Sequence, residues 1–120
     1  MATILIVDDS PSEAALMTNV VQKLGHHAQT VSDGEKCIAT ARTLKPALIL
    51  LDVVMPNMDG FNVCRKIKKD PELAHTPVIM VTSKTQDSDK FWAERQGANG
   101  YVTKPFTPDS LAAAIKTVLP

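Results

Sequence analysis

The stretch TILIVDDSPSE, residues 3–13, contains the transition that decides the fold of this chain. Its first five residues are aliphatic or β-branched, as expected for a parallel strand that is covered on both faces. Asp8 and Asp9 close the run, and the letters SPSE then have the pattern of a helix start. Ser10 is predicted to be the N-cap, with Glu13 as its partner in a capping box. The stretch therefore predicts a buried strand, an acidic turn and a helix.

A strand followed by a helix recurs four more times along the chain. The expected strands are 3–7, 28–32, 47–51, 78–81 and 100–103, and the expected helices are about 11–24, 34–44, 61–69, 87–96 and 108–119. Such alternation predicts an α/β fold, a (βα)5 doubly wound parallel sheet with right-handed crossovers. Two local details are also expected: Leu16 lies on the apolar side of the first helix, and Gly60 takes a positive φ. Residues 1–120 are expected to form a single domain without an output domain, because they contain no linker or repeat.

The bulk composition excludes several classes of protein. Hydrophobic content of 44% and charged content of 22% are ordinary for a globular domain. The thirteen basic and thirteen acidic residues cancel, which argues against a nucleic-acid partner or an anionic membrane. No apolar stretch approaches the ~20 residues that span a bilayer, and the N-terminus lacks the signature of a signal peptide. We therefore expect a cytoplasmic location.

The cysteines and histidines are not predicted to bind a metal. Cys37 and Cys64 both fall inside helical patterns and are expected to be buried apolar residues rather than a disulfide pair. His26 and His27 lie in a turn with no partner at a metal-site spacing.

Charged side chains stand where three of the predicted strands end. Asp8 and Asp9 follow the first strand, Asp52 follows the third, and Lys104 follows the fifth. The carboxyl ends of parallel strands converge on one crevice, so these side chains are expected to be neighbours. Three carboxylates at close range repel one another unless a cation and the lysine compensate. The pattern therefore predicts a phosphoryl-accepting pocket that holds a divalent cation.

A larger ordered set of residues carries a family resemblance. Its members are Asp8-Asp9, Asp52, Met55-Pro56 with Asp59-Gly60, Thr82, Tyr101 and Lys104-Pro105-Phe106. From Ile4 to Leu119 the chain resembles the receiver domain of two-component response regulators. The resemblance implies a flavodoxin-like fold with strand order 2-1-3-4-5 and an Mg2+-dependent aspartate that accepts phosphoryl from a histidine kinase. Residues 81–106 are similar to the stand-alone, chemotaxis-like regulators of twitching motility and type IV pili.

The resemblance assigns the acidic residues. Asp52 is the expected phosphoacceptor, since a carboxylate can attack phosphorus to give an aspartyl phosphate. Asp8, Asp9 and Asp52 are expected to bind Mg2+ together with the backbone carbonyl of Val54, and Mg2+ needs only a few protein oxygens. The alternative for Asp52 is a strand-end residue that caps the following turn. The alternative for Asp8 and Asp9 is that one of them caps the first helix and the other is solvated.

The remaining roles concern stabilisation of phosphate and its consequences. Lys104 and Thr82 are expected to contact the phosphoryl oxygens, and Thr82 and Tyr101 to act as a two-state switch. Pro105 is the expected cis-proline, which turns the lysine inward. In addition, Val54 and Lys84 occupy the places that tune dephosphorylation.

The expected partner surface is formed by the fourth helix, the fifth strand and the fifth helix. Trp92 would contribute to it if its side chain is exposed. The alternative is that Phe91 and Trp92 are both packed against the core.

These assignments predict a signalling protein rather than an enzyme with its own substrate. Its expected partners are a sensor histidine kinase or phosphotransfer protein and a downstream protein target, with no nucleic acid or membrane. A monomer or a weak phosphorylation-dependent dimer is expected. The competing classes are a phosphotransferase or phosphatase, a flavin-binding domain, a DNA-binding regulator, and a receiver that signals without phosphate. Whether the protein drives an output or drains phosphate from another regulator is left open.

Overall fold

Five parallel strands and five helices form the protein, and the computed structural model describes residues 2–55, 58–83 and 86–119. The strands are β1 (Thr3–Val7), β2 (His27–Val31), β3 (Leu48–Leu51), β4 (Val78–Thr82) and β5 (Gly100–Thr103). The helices are α1 (Pro11–Lys23), α2 (Gly34–Leu44), α3 (Gly60–Lys69), α4 (Asp87–Arg95) and α5 (Pro108–Val118). The strand order is β2-β1-β3-β4-β5, and every pairing in this sheet is parallel. The predicted flavodoxin-like fold is confirmed.

The core consists of two layers, one on each face of the sheet. All four residues of β3 have 0% of their surface exposed, which explains its unbroken apolar sequence. Because successive side chains of a strand point to opposite faces, Ile49 and Leu51 pack in one layer and Leu48 and Leu50 in the other. The first layer includes buried residues of α2 and α3, and the second includes those of α1 and α5.

Local sequence signals begin and end the helices as expected. Ser10 caps α1 by accepting a hydrogen bond from the backbone N–H of Glu13 at 3.4 Å. Asp33 caps α2 in the same way, accepting from Lys36 N–H at 2.8 Å. Gly25 lies just beyond α1 with φ of +87°, a conformation that side chains with a Cβ rarely adopt.

Two local expectations are wrong. Leu16 is 56% exposed, because the buried side of α1 runs through Ala14 and Met17 and leaves Leu16 about a quarter-turn away. Gly60 does not have a positive φ. A Cβ at Gly60 would instead lie 2.4 Å from both the carbonyl oxygen of Asp52 and the Cα of Val53. The glycine therefore permits two backbone segments to approach closely.

An antiparallel pair of two-residue strands, Val54–Met55 with Met58–Asp59, lies between β3 and α3.

Cys37 and Cys64 are free and buried. His26 accepts a hydrogen bond at Nδ1 from the backbone N–H of Ala2, at 3.0 Å. In the described part of the chain, no helix combines the length and apolar character required to cross a bilayer.

Candidate functional site

Three side chains from different strand ends meet at the carboxyl edge of the sheet. Lys104 Nζ lies 2.9 Å from Asp8 Oδ2 and 3.3 Å from Asp52 Oδ2. Hydrogen bonds to neighbouring strands position all three, since the backbone N–H groups of Asp8, Asp52 and Lys104 donate to the carbonyls of Val31 (3.2 Å), Val7 (3.0 Å) and Thr82 (2.8 Å). The folded chain thus brings the three side chains together, although Lys104 is 96 residues from Asp8 and 52 residues from Asp52 in the sequence.

Burial shapes the electrostatics of this cluster. The side chain of Asp8 is 0% exposed, and burial raises the pKa of its carboxyl despite hydrogen bonds from Lys104 and the Ser10 N–H. Burial alone would lower the pKa of Lys104, but its hydrogen bonds to Asp8 and Glu13 and the negative charges of Asp52 and Asp8 together raise it. Lys104 is therefore held as an ammonium that faces buried carboxylates.

Glu13 is the site residue that the sequence reasoning missed. Its carboxylate binds Lys104 Nζ directly. It does not close the expected capping box, because the backbone N–H of Ser10 donates to Asp8 Oδ1 at 2.9 Å instead. Glu13 lies in the first turn of α1, which begins at the same edge of the sheet as the acid pair. That placement is the signal that could have identified it.

The carboxylates can accommodate a divalent cation. Oxygens of Asp8, Glu13 and Asp52 all lie within 4.8 Å of one another. Hard carboxylate oxygens are the donors that Mg2+ and Mn2+ prefer. With Lys104, the three carboxylates leave an excess of two negative charges, which one divalent ion would balance.

Two other predicted metal ligands, Asp9 and Val54, are not part of the carboxylate cluster of Asp8, Glu13 and Asp52 found among the described residues. Asp9 is exposed. Val54 lies two residues after Asp52, and its backbone pairs with that of Asp59. The side chain of Val54 is outside what the structure describes. Their part in metal binding stays a prediction.

The residues of the proposed switch lie on neighbouring strands. Thr82 ends β4, is fully buried, and is in register with Thr103 of β5. Tyr101 in β5 is half-buried against the core, and burial together with the charge of Asp89 raises the pKa of its hydroxyl to about 12. The peptide bond between Lys104 and Pro105 is cis.

Lys84, which we expected to tune dephosphorylation, lies outside the described residues.

The aromatic pair of α4 is on the surface. Phe91 and Trp92 are 55% and 52% exposed, so the alternative that both are packed is wrong. Their rings contact each other edge to face, with centroids 6.3 Å apart and planes at 74°.

Comparison with known proteins identifies the family of the chain. Residues 4–116 match the family described as the response regulator receiver domain. Protein PilH of Pseudomonas aeruginosa is 45% identical over 119 residues, which cover 99% of this chain and 98% of PilH. Other curated relatives are DNA-binding regulators of which this chain spans about half the length.

Solved structures show the same fold. The chemotaxis protein CheY4 of Vibrio cholerae has a TM-score of 0.92 and 32% identity, with 98% of each chain covered. The Mn2+-bound response regulator Rcp1 has a TM-score of 0.81 and 27% identity, covering 98% of this chain and 91% of its own. The chain belongs to the response regulator receiver domain family.

Proposed function

We propose that this protein is a stand-alone response regulator that accepts a phosphoryl group on Asp52. The observation that carries the proposal is the contact of Lys104 Nζ with both Asp8 and Asp52. In this arrangement the carboxylate proposed as the nucleophile lies beside a second carboxylate and the Lys104 ammonium in one largely buried cluster. Phosphoryl transfer is catalysed mainly by such positioning and charge stabilisation.

The proposed step is an in-line displacement at phosphorus. A carboxylate oxygen of Asp52 forms a bond to phosphorus while the bond from phosphorus to the donor's histidine nitrogen breaks. The electron pair of that bond stays on the imidazole nitrogen, which then takes up a proton. Lys104 contacts the oxygens of the transferred group. The product carries about one more negative charge than the free carboxylate, and this extra charge favours additional donors.

We propose Mg2+ as the resident cation, held by Asp8 and Asp52 with Asp9 and the carbonyl of Val54. When bound, the ion supplies positive charge that neutralises phosphoryl oxygens. The cluster of hard oxygen donors and its excess of negative charge support this assignment. A related receiver, Rcp1, has been solved in an Mn2+-bound form.

The phosphoryl group is proposed to shift a two-state element. The hydroxyl of Thr82 moves toward the phosphoryl group, and Tyr101 occupies the space that it leaves. This changes the surface formed by α4, β5 and α5, where Trp92 is exposed. Val54 and Lys84 are proposed to set the access of water to the aspartyl phosphate.

The proposed partners are a sensor histidine kinase or phosphotransfer protein and a downstream protein target. The match with PilH over 98% of that protein supports a single receiver, 1–120, that works without an output domain. It also supports a role in type IV pilus or twitching motility. We propose no catalytic activity beyond self-phosphorylation and self-dephosphorylation. A cytoplasmic location and a monomer or weak phosphorylation-dependent dimer stay predictions.

Intact mass spectrometry after incubation with acetyl phosphate tests the proposal. The wild type should gain one phosphoryl group in the presence of Mg2+ and none after chelation. Asp52→Asn should gain none, whereas Asp109→Asn, an exposed first-turn acid of α5, should behave like the wild type. A folded wild type that gains no mass with Mg2+ present would overturn the function proposed for Asp52.

A further inference from the structure

The ammonium of Lys104 is already saturated before any phosphoryl group arrives. A lysine carries three N–H donors. Lys104 Nζ contacts three carboxylates, those of Asp8, Glu13 and Asp52. A phosphoryl group on Asp52 brings further oxygens that need the same ammonium. Asp52 gives up its own contact when its carboxylate becomes an acyl phosphate, so a second phosphoryl oxygen reaches the ammonium only if Asp8 or Glu13 releases it.

Glu13 is the carboxylate best placed to leave. The side chain of Asp8 is 0% exposed, and its second oxygen accepts the Ser10 N–H at 2.9 Å. Asp52 is the residue that carries the phosphoryl group. The side chain of Glu13 is 41% exposed and extends from the first turn of α1. Its carboxylate can regain water on release, so its departure costs little desolvation energy.

We propose that Glu13 is a positioning residue that competes with the phosphoryl group for Lys104. Before transfer its carboxylate occupies the ammonium donor that a phosphoryl oxygen later takes, and on transfer it moves out to solvent. The inference rests on the proposed function of Asp52. Glu13 is therefore expected to weaken the binding of the phosphoryl group. Its ion pair with Lys104 must break, and its negative charge remains near the incoming anion.

Binding of beryllofluoride, which stands in for the phosphoryl group on Asp52, measures this cost. Glu13→Gln keeps the length of the side chain and removes its charge. Because the variant no longer holds a charged competitor on Lys104, it should bind beryllofluoride about tenfold more tightly than the wild type at saturating Mg2+. Its initial rate of phosphorylation by acetyl phosphate should rise as well. Glu13→Ala should behave similarly if Glu13→Gln folds poorly.

Two controls separate this role from general effects of charge. Glu35→Gln removes an exposed acid from the first turn of α2 and should leave beryllofluoride affinity unchanged. The carbon-13 signal of the Glu13 carboxyl should move to the position of a solvated glutamate when beryllofluoride is added to the wild type. A merely structural role for Glu13 would not move that signal.

The possible failures are distinguishable. If the wild type is phosphorylated on Asp52 but both Glu13 variants bind beryllofluoride equally or more weakly, the competitor role is wrong and the proposed function stands. An unchanged Glu13 carboxyl signal on binding has the same meaning. If the wild type takes up neither acetyl-phosphate phosphoryl nor beryllofluoride, the proposed function fails, and the role of Glu13 fails with it.

Discussion

Replacing Gly60 by alanine should destabilise the protein and displace the proposed phosphoacceptor together. A Cβ at position 60 would lie 2.4 Å from the Asp52 carbonyl oxygen and 2.4 Å from Val53 Cα, whereas ordinary contacts begin at 3.4 Å. The overlap is therefore about 1 Å with two backbone atoms, which cannot rotate away as a side chain can. Relief requires α3 or the segment after β3 to move.

The expected magnitude follows from two opposing terms. Overpacking of this kind costs ~1–3 kcal/mol, and the backbone overlap places Gly60→Ala near the upper end. Alanine recovers up to ~1 kcal/mol over glycine in a helix. We expect a net loss of about 2 kcal/mol in the free energy of unfolding. Because Lys104 Nζ already lies 3.3 Å from Asp52 Oδ2, a shift approaching 1 Å should also slow phosphorylation by up to ~100-fold.

Urea unfolding and intact mass after acetyl phosphate treatment measure the two effects. Gly100→Ala is the matched control, since its Cβ would come no closer than 3.2 Å to any atom, and that atom is Cγ1 of the Ile79 side chain rather than backbone. We expect it to stay within about 1 kcal/mol of the wild type and to be phosphorylated normally. If Gly60→Ala equals this control in free energy of unfolding and in phosphorylation rate, the close approach of residue 60 to the backbone of Asp52 and Val53 does not require a glycine.

Three further predictions concern buried cysteines, the tyrosine of the proposed switch and a partly buried lysine. Burial raises the thiol pKa of Cys37 to about 12 and that of Cys64 to about 11. Both thiols should therefore react with DTNB at pH 8 only when urea unfolds the protein, and rapid reaction of the folded protein would contradict this. Tyr101, whose pKa is raised to about 12, should contribute stability that is complete below its unfolded pKa of ~10 and is lost as pH rises to 12. Urea titrations should show a smaller loss of stability between pH 10 and 12 for Tyr101→Phe than for the wild type. Lys68 Nζ donates to the Thr76 carbonyl (2.8 Å) and to Asn99 Oδ1 (3.0 Å). Lys68→Met should therefore lower the free energy of unfolding by ~1–2 kcal/mol. An unchanged free energy of unfolding would show that these two hydrogen bonds do not stabilise the protein.

The sequence predicted the elements well because their signals are local. The apolar run Leu48–Leu51 and the cap at Ser10 depend on neighbours within a few residues, and the structure has them where expected. Leu16 was misplaced because its exposure depends on the angle at which α1 packs on the sheet. That angle is set by the whole layer rather than by the helix.

At the site, the sequence by itself determined the residue types and the strand ends that carry them. Asp8, Asp52 and Lys104 were identifiable because parallel strands must bring their carboxyl ends to one edge. Only the tertiary structure decided that Glu13 contacts Lys104 and that Gly60 lies against the backbone of Asp52. Both depend on how closely separate elements approach, to within an ångström. Such distances result from packing the entire core, so no local sequence pattern contains them.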